Sequence, residues 1–369
     1  FGDEAALQRF TSPDEIADIS YTDVLRDVMQ VGGALGASGL ARGDRAAILS
    51  ENRPEWAVVD YGCLCFGAWV VPIYPTLTPS QVEYVLADSG ASVVFASTPE
   101  LAAKALEAAA GTPQQITVVA FDAEAPEGTV AWEDFLARSG PVDTEEARAS
   151  FREEALRARP EDVATVLYTS GTTGPPKGVM LTHDNVASNV RATEMHLGIE
   201  PTDNTISFLP LSHILQRMAD YLFFWVGVTI AYPRSLDTLI VDLKRVAPTV
   251  VVSVPRIYEK IYNGVMAARG PKKKLIDWAA SVADRAADLR LAGKQPRGLL
   301  ALKSAIADTL VFSKVKTAVG GRLRLFVSGG GPLAPALNRF FDSIGLTILE
   351  GYGLTETSPV TNANNEEYF

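Results

Sequence analysis

Short apolar runs alternate with amphipathic segments along the first part of the chain. Three apolar runs have the length and composition of buried strands: Arg45–Ser50, Val70–Tyr74 and Ser92–Ala96. A helix is expected to begin at Pro54, and another to run from Pro79 to about Ser89, where Gly90 would end it. Strands separated by helices predict a parallel sheet that is covered by helices on both faces.

The same alternation returns after residue 240. Further strands are expected at Thr249–Val254, Arg322–Ser328 and Thr347–Glu350, with a helix from about Ala334 to Ile344. The pattern predicts an α/β fold of two lobes, each a mostly parallel sheet flanked by helices. We expect lobes at about 44–205 and at 1–43 plus 206–369. Residues 111–162 and 268–300 are expected to form surface excursions or amphipathic helices.

Composition and charge narrow the class of protein. The chain has 369 residues, of which 47% are hydrophobic, and a net charge of -11, which disfavours nucleic acid as a partner. The longest apolar stretch, Tyr221–Tyr232, is too short to span a bilayer, and the first residues lack a signal-peptide pattern. We therefore expect a soluble cytoplasmic protein. Cys63 and Cys65 are expected to be buried free thiols, because a metal site or a disulfide framework needs further ligands.

The segment YTSGTTGPPKGVMLTHDNV, Tyr168 to Val186, has the composition of a phosphate-binding loop. Its glycines let backbone N–H groups face an anion, its hydroxyls add donors, and Lys177 adds a positive charge. A polar surface loop is the alternative. A P-loop is disfavoured because Pro175 and Pro176 interrupt the position where its helix would begin, and Val179–Thr182 resembles a strand. The next helix is expected only from about Asp184, with Val186, Val190, Thr193 and Leu197 on one face.

Three further segments carry candidate chemistry. FVSGGGPL, Phe326 to Leu333, places glycines after a predicted strand, where ligands bind in open α/β sheets. LEGYGLTETSPV, Leu349 to Val360, sets Tyr352 between two glycines, which suits stacking on a base, although a core tyrosine is the alternative. SFLPLSHILQRM, Ser207 to Met218, places His213 just after a strand expected to end at Leu209–Leu211; a lone histidine is usually structural.

Together, YTSGTTGPPKG and LEGYGLTE resemble the signatures of the adenylate-forming superfamily of acyl-CoA synthetases, adenylation domains and luciferases. SHILQRM and VPRIYEKIYN, Val254 to Asn263, resemble the long-chain fatty acyl-CoA synthetase branch. The resemblance implies the large N-terminal AMP-binding domain of such an enzyme over 1–369. The family's ribose-binding aspartate, hinge and small C-terminal domain are not found in the sequence.

The resemblance also implies site residues. It implies ATP contacts at Thr169, Ser170, Gly171, Thr172, Thr173, Gly174, Lys177, Gly329, Gly330, Gly331, Pro332, Glu350, Gly351, Tyr352, Gly353 and Thr355. It implies catalytic roles for His213, Lys177, Thr355 and Glu356, with His213 beside the acyl carboxylate, and Mg²⁺ ligands at Glu356 and Thr172.

The implied reaction joins a fatty acid to ATP, giving acyl-AMP and pyrophosphate, and then transfers the acyl group to CoA. Mg²⁺ would neutralise charge on the phosphates. Two alternatives stay open: an acyl-AMP ligase that passes its product to a carrier protein, and a nucleotide- and acyl-binding module without full turnover. Ribose contacts and a C-terminal lysine would be missing in the second case.

Two further segments allow two interpretations each. Tyr221–Trp225 and Val226–Ala231 are dense in large apolar residues, which suits either the wall of an acyl tunnel or plain core. The triplet Lys272–Lys274 is most simply a solvated face, with peripheral contact to an anionic membrane or to cofactor phosphates as the alternatives.

Overall fold

Alternating strands and helices form two units in the computed structural model, which describes residues 1–169, 174–291 and 294–365. The first unit contains Phe1–Arg191, Leu209–Tyr221 and Leu354–Pro359. The second contains Ala192–Phe208, Leu222–Gly353 and the described residues from Val360 onward. The chain therefore passes between the units several times.

Most of the first unit is a parallel sheet with helical connections. Its strands are β1 Ala5–Ser12, β2 Glu15–Ser20, β3 Arg45–Leu49, β4 Trp69–Ile73, β5 Val93–Ala96, β6 Thr117–Ala120, β7 Val130–Ala131, β8 Val163–Thr169 and β9 Lys177–Thr182. Its helices are α1 Tyr21–Ala37, α2 Pro54–Phe66, α3 Pro79–Ser89, α4 Pro99–Ala110, α5 Trp132–Leu136 and α6 Glu145–Ala155, and α7 His183–Leu197 begins in it.

The sheet of the first unit has the order β7-β6-β5-β3-β4-β8-β9. All neighbours in it are parallel except β8 and β9, and β1 and β2 form a separate antiparallel hairpin. The predicted helices are confirmed: α2 begins at Pro54, and Thr78 caps α3 in a reciprocal capping box. Gly90 ends α3 with a φ of 67°, a left-handed conformation that favours glycine.

The second unit contains a smaller sheet, which its last four strands form, and a parallel pair, which its first two strands form. The strands of the unit are β10 Asn204–Ile206, β11 Thr229–Tyr232, β12 Val250–Ser253, β13 Leu325–Ser328, β14 Thr347–Gly353 and β15 Val360–Ala363. The helices along this part of the chain are α8 Ile214–Val226, α9 Leu239–Val246, α10 Pro255–Met266, α11 Pro271–Leu291, α12 Gly298–Ala307, α13 Ser313–Ala318 and α14 Pro335–Ser343, with a π-helix at Asp308–Phe312. Strands β12, β13 and β14 are parallel neighbours, and β15 pairs antiparallel with β14.

In the parallel sheet of the second unit, two strand boundaries differ from the prediction by three residues. β13 begins at Leu325 rather than at Arg322, because its pairing with β12 begins at Val250. β14 continues beyond Glu350 to Gly353, because β15 supplies an antiparallel partner for that stretch. Local apolar patterns do not reveal such partners, since pairing depends on residues that are distant in sequence.

Both cysteines are free thiols. Cys63 is a buried free thiol, as predicted, whereas Cys65 is only partly buried. Burial raises the pKa of both thiols, that of Cys65 to about 11, so neither ionises readily near neutral pH. Over the described parts of the chain, no helix has the length and apolar character needed to cross a membrane.

Candidate functional site

The predicted phosphate loop lies at the end of a β-hairpin in the first unit. Strands β8 and β9 are antiparallel, and Thr169 pairs with Lys177, so residues 170–176 connect two adjacent strand ends. Ser170, Gly171, Thr172 and Thr173 lie outside the described residues. Gly174 has a φ of 87°, which only glycine adopts readily. Lys177 is in a strand and not at a helix N-terminus, so the loop is not a P-loop, as predicted.

Helix α3 holds both ends of this hairpin loop. The Tyr84 hydroxyl donates to the carbonyl oxygen of Pro176 over 3.0 Å, and the Tyr168 hydroxyl donates to Oδ2 of Asp88 over 2.6 Å. The two tyrosine rings pack edge to face with 6.4 Å between their centroids. Tyr84 and Asp88 are four residues apart, so they lie on the same face of α3. Burial, together with the Asp88 carboxylate, raises the pKa of Tyr168 and keeps its hydroxyl a donor.

Thr355 and Glu356 lie in a short 3₁₀ helix, Thr355–Thr357, which packs against β9 within the first unit. The turn is held by Thr357, whose Oγ1 accepts a hydrogen bond from the Leu354 N–H over 2.9 Å. Among the described residues, the side chains of Lys177, Thr355 and Glu356 have no hydrogen-bond or ion-pair partner. Within the described ranges, the structure thus has a cationic, a hydroxyl and a carboxylate group without side-chain partners on neighbouring elements, and such groups can bind phosphate and a hard cation.

His213 lies in a turn that is held by the side chain of Asn52, from another part of the first unit. The Nδ2 group of Asn52 donates to the carbonyl oxygen of Leu209 over 2.6 Å, and its Oδ1 accepts from the Leu211 N–H over 2.9 Å. The prediction of a strand that ends at Leu209–Leu211 is wrong, since β10 ends at Ile206. The proline between the two leucines has no N–H to donate to a ladder, and Asn52 satisfies the backbone of its neighbours instead.

The tautomer of His213 follows from its hydrogen bond. Its Nδ1 accepts from the Leu215 N–H over 3.1 Å, so the proton of a neutral ring is on Nε2. His213 is exposed at the surface, but the protein around the ring partly desolvates it and lowers its pKa, which favours that neutral form near pH 7. The ring therefore offers an N–H donor at Nε2, and a donor of this kind can orient a carboxylate.

Helix α8, which follows His213, is fixed by a buried ion pair. Arg217 is 1% exposed and its Nε donates to Oδ2 of Asp60 in α2 over 2.9 Å, while its Nη2 donates to Oδ1 of the same carboxylate. Its Nη1 donates to Oγ1 of Thr165 in β8 over 2.6 Å, and the Tyr221 hydroxyl donates to Asp60 over 2.6 Å. The guanidinium lies 5.5 Å from the ring centre of Trp56. This cluster connects α8 to β8, the strand that leads into the phosphate loop.

The sequence did not reveal the side chains that hold the phosphate-loop hairpin, the His213 turn and α8. Asn52, Asp60, Tyr84 and Asp88 lie between about 80 and 160 positions from the residues they hold, and none belongs to a motif. The segment Tyr221–Trp225, expected as tunnel wall or core, is mixed: Tyr221 bonds Asp60, and Trp225 is 62% exposed with its Nε1 donating to Glu194.

In the second unit, the predicted glycine turn follows the central strand β13. The Gly329 N–H donates to the carbonyl oxygen of Ser253 in β12 over 3.1 Å, and Gly330 has a φ of 74°. Gly329 is buried, whereas Gly330, Gly331 and Pro332 are exposed. A Cβ added at Gly331 would lie 3.9 Å from Cγ of Pro255, so the turn passes close to the start of α10. The turn presents bare backbone at the carboxyl end of parallel strands.

The segment Glu350–Gly353 lies beside this turn. Ser328 pairs with Glu350 in the parallel ladder, which places Gly329 next to Gly351. Oε1 of Glu350 accepts from Nδ2 of Asn338 over 3.2 Å. Tyr352 is 64% exposed and so is not a core tyrosine. Strand β15 pairs with this stretch, and the register shifts between Tyr352 and Gly353.

Comparison with known proteins gives one consistent result. The family model described as AMP-binding enzyme matches residues 1–368. The chain is 37% identical over 348 residues to the long-chain-fatty-acid–CoA ligase FadD15 of Mycobacterium bovis, which covers 92% of the chain and 56% of that protein. The chain thus spans about half the length of the curated relatives it matches.

Solved structures agree on the fold. The long-chain-fatty-acid-CoA ligase FadD1 from Archaeoglobus fulgidus superposes with a TM-score of 0.74 at 19% identity, covering 100% of this chain and 64% of that chain. ATP-bound MatB from Rhodopseudomonas palustris superposes with a TM-score of 0.69 at 22% identity, covering 100% of this chain and 60% of that chain. At these identities the likeness concerns the fold alone.

Proposed function

Because the chain belongs to the AMP-binding enzyme family, we propose that it activates a long-chain fatty acid with ATP and then transfers the acyl group to CoA. The similarity to FadD15, a long-chain-fatty-acid–CoA ligase, supports both the acid and the acceptor. It favours CoA over a carrier protein. Since the chain spans about half of such relatives, the proposal concerns the protein to which this part contributes its large domain.

The observation that carries the proposal is a lysine at the base of the phosphate-loop hairpin that has no partner in the described part of the chain. Lys177 is exposed in β9 opposite Thr169, with no acidic partner among the described residues. In this role Lys177, Thr169 and Gly174, with the loop residues Ser170–Thr173, bind the β- and γ-phosphates of ATP. Catalysis then rests on charge neutralisation and alignment rather than on a covalent intermediate.

Glu356 is the proposed protein ligand of Mg²⁺, together with Thr172. The carboxylate of Glu356 is exposed and has no partner among the described residues, and a hard oxygen of this kind suits Mg²⁺, which takes few protein carboxylates and completes its shell with phosphate oxygens and water. When bound, the ion would neutralise charge on the phosphates. Thr355, in the same turn, donates its hydroxyl to the α-phosphate.

His213 is proposed to orient the fatty acid. Its neutral ring would donate from Nε2 to one carboxylate oxygen, leaving the other oxygen to attack the α-phosphorus of ATP. The P–O bond to pyrophosphate breaks as the acyl–phosphate bond forms, which gives acyl-AMP. The CoA thiolate then attacks the acyl carbon, and AMP leaves as the thioester forms.

The glycine turn and the Tyr352 segment of the second unit are proposed to bind the adenosine. The exposed ring of Tyr352 can stack on adenine, and backbone without side chains at Gly329, Gly330 and Gly331 allows a flat base to approach closely. Pro332, Glu350, Gly351 and Gly353 would complete the contacts.

Fatty-acid-dependent exchange between ATP and pyrophosphate tests this function. It would be measured on this chain and on a version extended at its carboxyl end to the length of the relatives, followed by addition of CoA. Exchange and thioester formation by the longer protein support the proposal. Exchange by neither protein would contradict adenylation, and acyl-AMP without thioester would point to a carrier protein as acceptor.

Glu356→Gln tests the metal role. Loss of one stabilising charge at a reacting phosphate is expected to slow Mg²⁺-dependent exchange by about 10² to 10³, while palmitate binding stays unchanged. Glu107→Gln, an exposed glutamate of α4 outside every motif, is the matched control and should exchange normally. Unchanged exchange in Glu356→Gln would remove Glu356 from the proposed metal site.

A further inference from the structure

An apolar groove of about 570 Å³ lies in the second unit between α10, α11 and α13. Its floor contains Val311, Val315 and Val319, which are buried, and Leu275 and Leu310 stand exposed at its edge. The volume is within the range of sites that bind small organic molecules, roughly 300 to 1,000 Å³. None of the residues proposed for ATP, Mg²⁺ or the acyl carboxylate lines it.

Three lysines give the groove its charge. Lys260 of α10, Lys272 of α11 and Lys314 of α13 line it and are exposed, and no aspartate or glutamate is among the lining residues. Nearby lysines are paired: Lys273 binds Asp277, and Lys316 binds Asp308 over 2.8 Å. Over the described ranges, the three groove lysines have no ion-pair partner.

Apolar lining next to unpaired cations fits a ligand that joins an alkyl chain to a negative charge. We propose that this groove binds a free long-chain fatty acid, with its chain along the valine floor and its carboxylate at the lysines. The recessed, buried floor suits a single chain better than the flat face of a bilayer. This binding would need no ATP and is therefore independent of the adenylation proposed above.

Gly264 allows the groove to be filled without disturbing the fold. It lines the groove within α10, and a Cβ added there would meet nothing within 4 Å. Leucine at this position also improves helix propensity, so Gly264→Leu is expected to unfold at the same temperature or higher. A loss of binding in this variant cannot then be attributed to unfolding.

The first test is photolabelling without ATP by palmitate that carries a mid-chain diazirine, with labelled peptides identified by mass spectrometry. We expect saturable labelling of peptides within 255–318 that excess palmitate prevents. In Gly264→Leu, the added side chain should exclude about two methylenes of the palmitate chain from the groove, so labelling of these peptides should weaken about tenfold. Labelled peptides outside 255–318 serve as the internal control. Absence of saturable labelling in 255–318, or equal labelling in Gly264→Leu, would overturn the proposal.

The second test concerns the carboxylate. Changing Lys260, Lys272 and Lys314 to Gln is expected to weaken labelling of 255–318 about threefold for each lysine. Lys274→Gln, which removes an exposed charge from α11 outside the groove, is the matched control and should label as the parent protein does. If the lysine variants label normally, or a diazirine analogue of hexadecanol labels as well as palmitate, the groove does not select a fatty acid anion.

A second copy of the chain is the remaining occupant that these experiments distinguish. Sedimentation velocity of the parent protein and of Gly264→Leu would be measured without lipid over a range of concentrations. Equal sedimentation of the two proteins at every concentration supports a groove that is open to a fatty acid. A dimer that Gly264→Leu disrupts would overturn the proposal, because the groove would then be an interface.

Discussion

The turn that carries His213 and the turn of Gly329–Gly331 are held by different kinds of interaction. The histidine turn depends on side chains: Asn52 binds its backbone, and the Arg217–Asp60 ion pair fixes the helix that follows. The glycine turn depends on backbone: the Gly329 N–H continues the strand pairing, and Gly330 adopts a left-handed conformation.

The difference indicates how each region can fail. Buried charges are stable only while both partners are present, so removal of one side chain leaves an uncompensated charge in the first unit. A backbone turn has no such partner to lose, and it is instead sensitive to an added Cβ where φ is positive. The two regions should therefore respond to different substitutions.

Asp60→Ala should produce the largest effect. It leaves the buried guanidinium of Arg217 without its carboxylate and removes the acceptor of the Tyr221 hydroxyl. Breaking a buried ion pair from one side costs about 3 to 5 kcal/mol, and we expect that loss in the free energy of unfolding, measured in urea by tryptophan fluorescence.

A double variant shows whether the unpaired charge is the cause. Asp60→Leu combined with Arg217→Met replaces both charges by apolar side chains and should recover most of the lost stability. If Asp60→Ala unfolds like the parent protein, or the double variant is no more stable than Asp60→Ala, the ion pair does not fix α8 in the way proposed.

Gly330→Ala should have a smaller effect, in the other turn. A residue with a side chain at a φ of 74° pays about 1 to 2 kcal/mol, so the midpoint of thermal unfolding should fall. Gly331→Ala is the matched control, because its φ is not positive and its added Cβ would make ordinary contact with Pro255. Equal destabilisation by both variants would mean that backbone conformation is not what holds this turn.

The helices and strands could be predicted from the sequence better than the side chains that hold the candidate site in place. Strands such as Val93–Ala96 have apolar character at every position, and α3 has a capping threonine, a first-turn proline and a terminal glycine, all within a short window. Pro175 and Pro176 likewise argued against a helix at that point, and the chain instead continues into β9. Local chemistry determines all of these features.

The supports of the candidate site could not be predicted in this way. Asn52, Asp60 and Asp88 are ordinary polar residues within or next to helices, and their roles arise only when the sheet brings distant segments together. The extension of β14 to Gly353 has the same origin, since it depends on pairing with β15. Tertiary contacts of this type leave no periodic signal in one sequence.

The subtlest prediction concerns the protonation of His213. Partial desolvation lowers its pKa below the ordinary 6.5, so the unfolded chain binds a proton more readily than the folded protein does. Its contribution to stability is therefore present above pH 6.5 and is lost as the pH falls through 6.5 toward the folded pKa. A proton NMR titration should show this lowered pKa, with the His213 signal assigned by its absence in His213→Gln.

Asn52→Ala connects that pKa to the turn. Without the two hydrogen bonds between Asn52 and the backbone of Leu209 and Leu211, the turn should loosen, the ring should lose part of the surrounding protein that desolvates it, and the pKa of His213 should rise toward 6.5. Asn185→Ala, which removes a side-chain hydrogen bond to Thr182 at the start of α7, should leave it unchanged. A pKa of His213 that is the same in Asn52→Ala and in the parent protein would show that the Asn52 clamp does not control the desolvation of the ring.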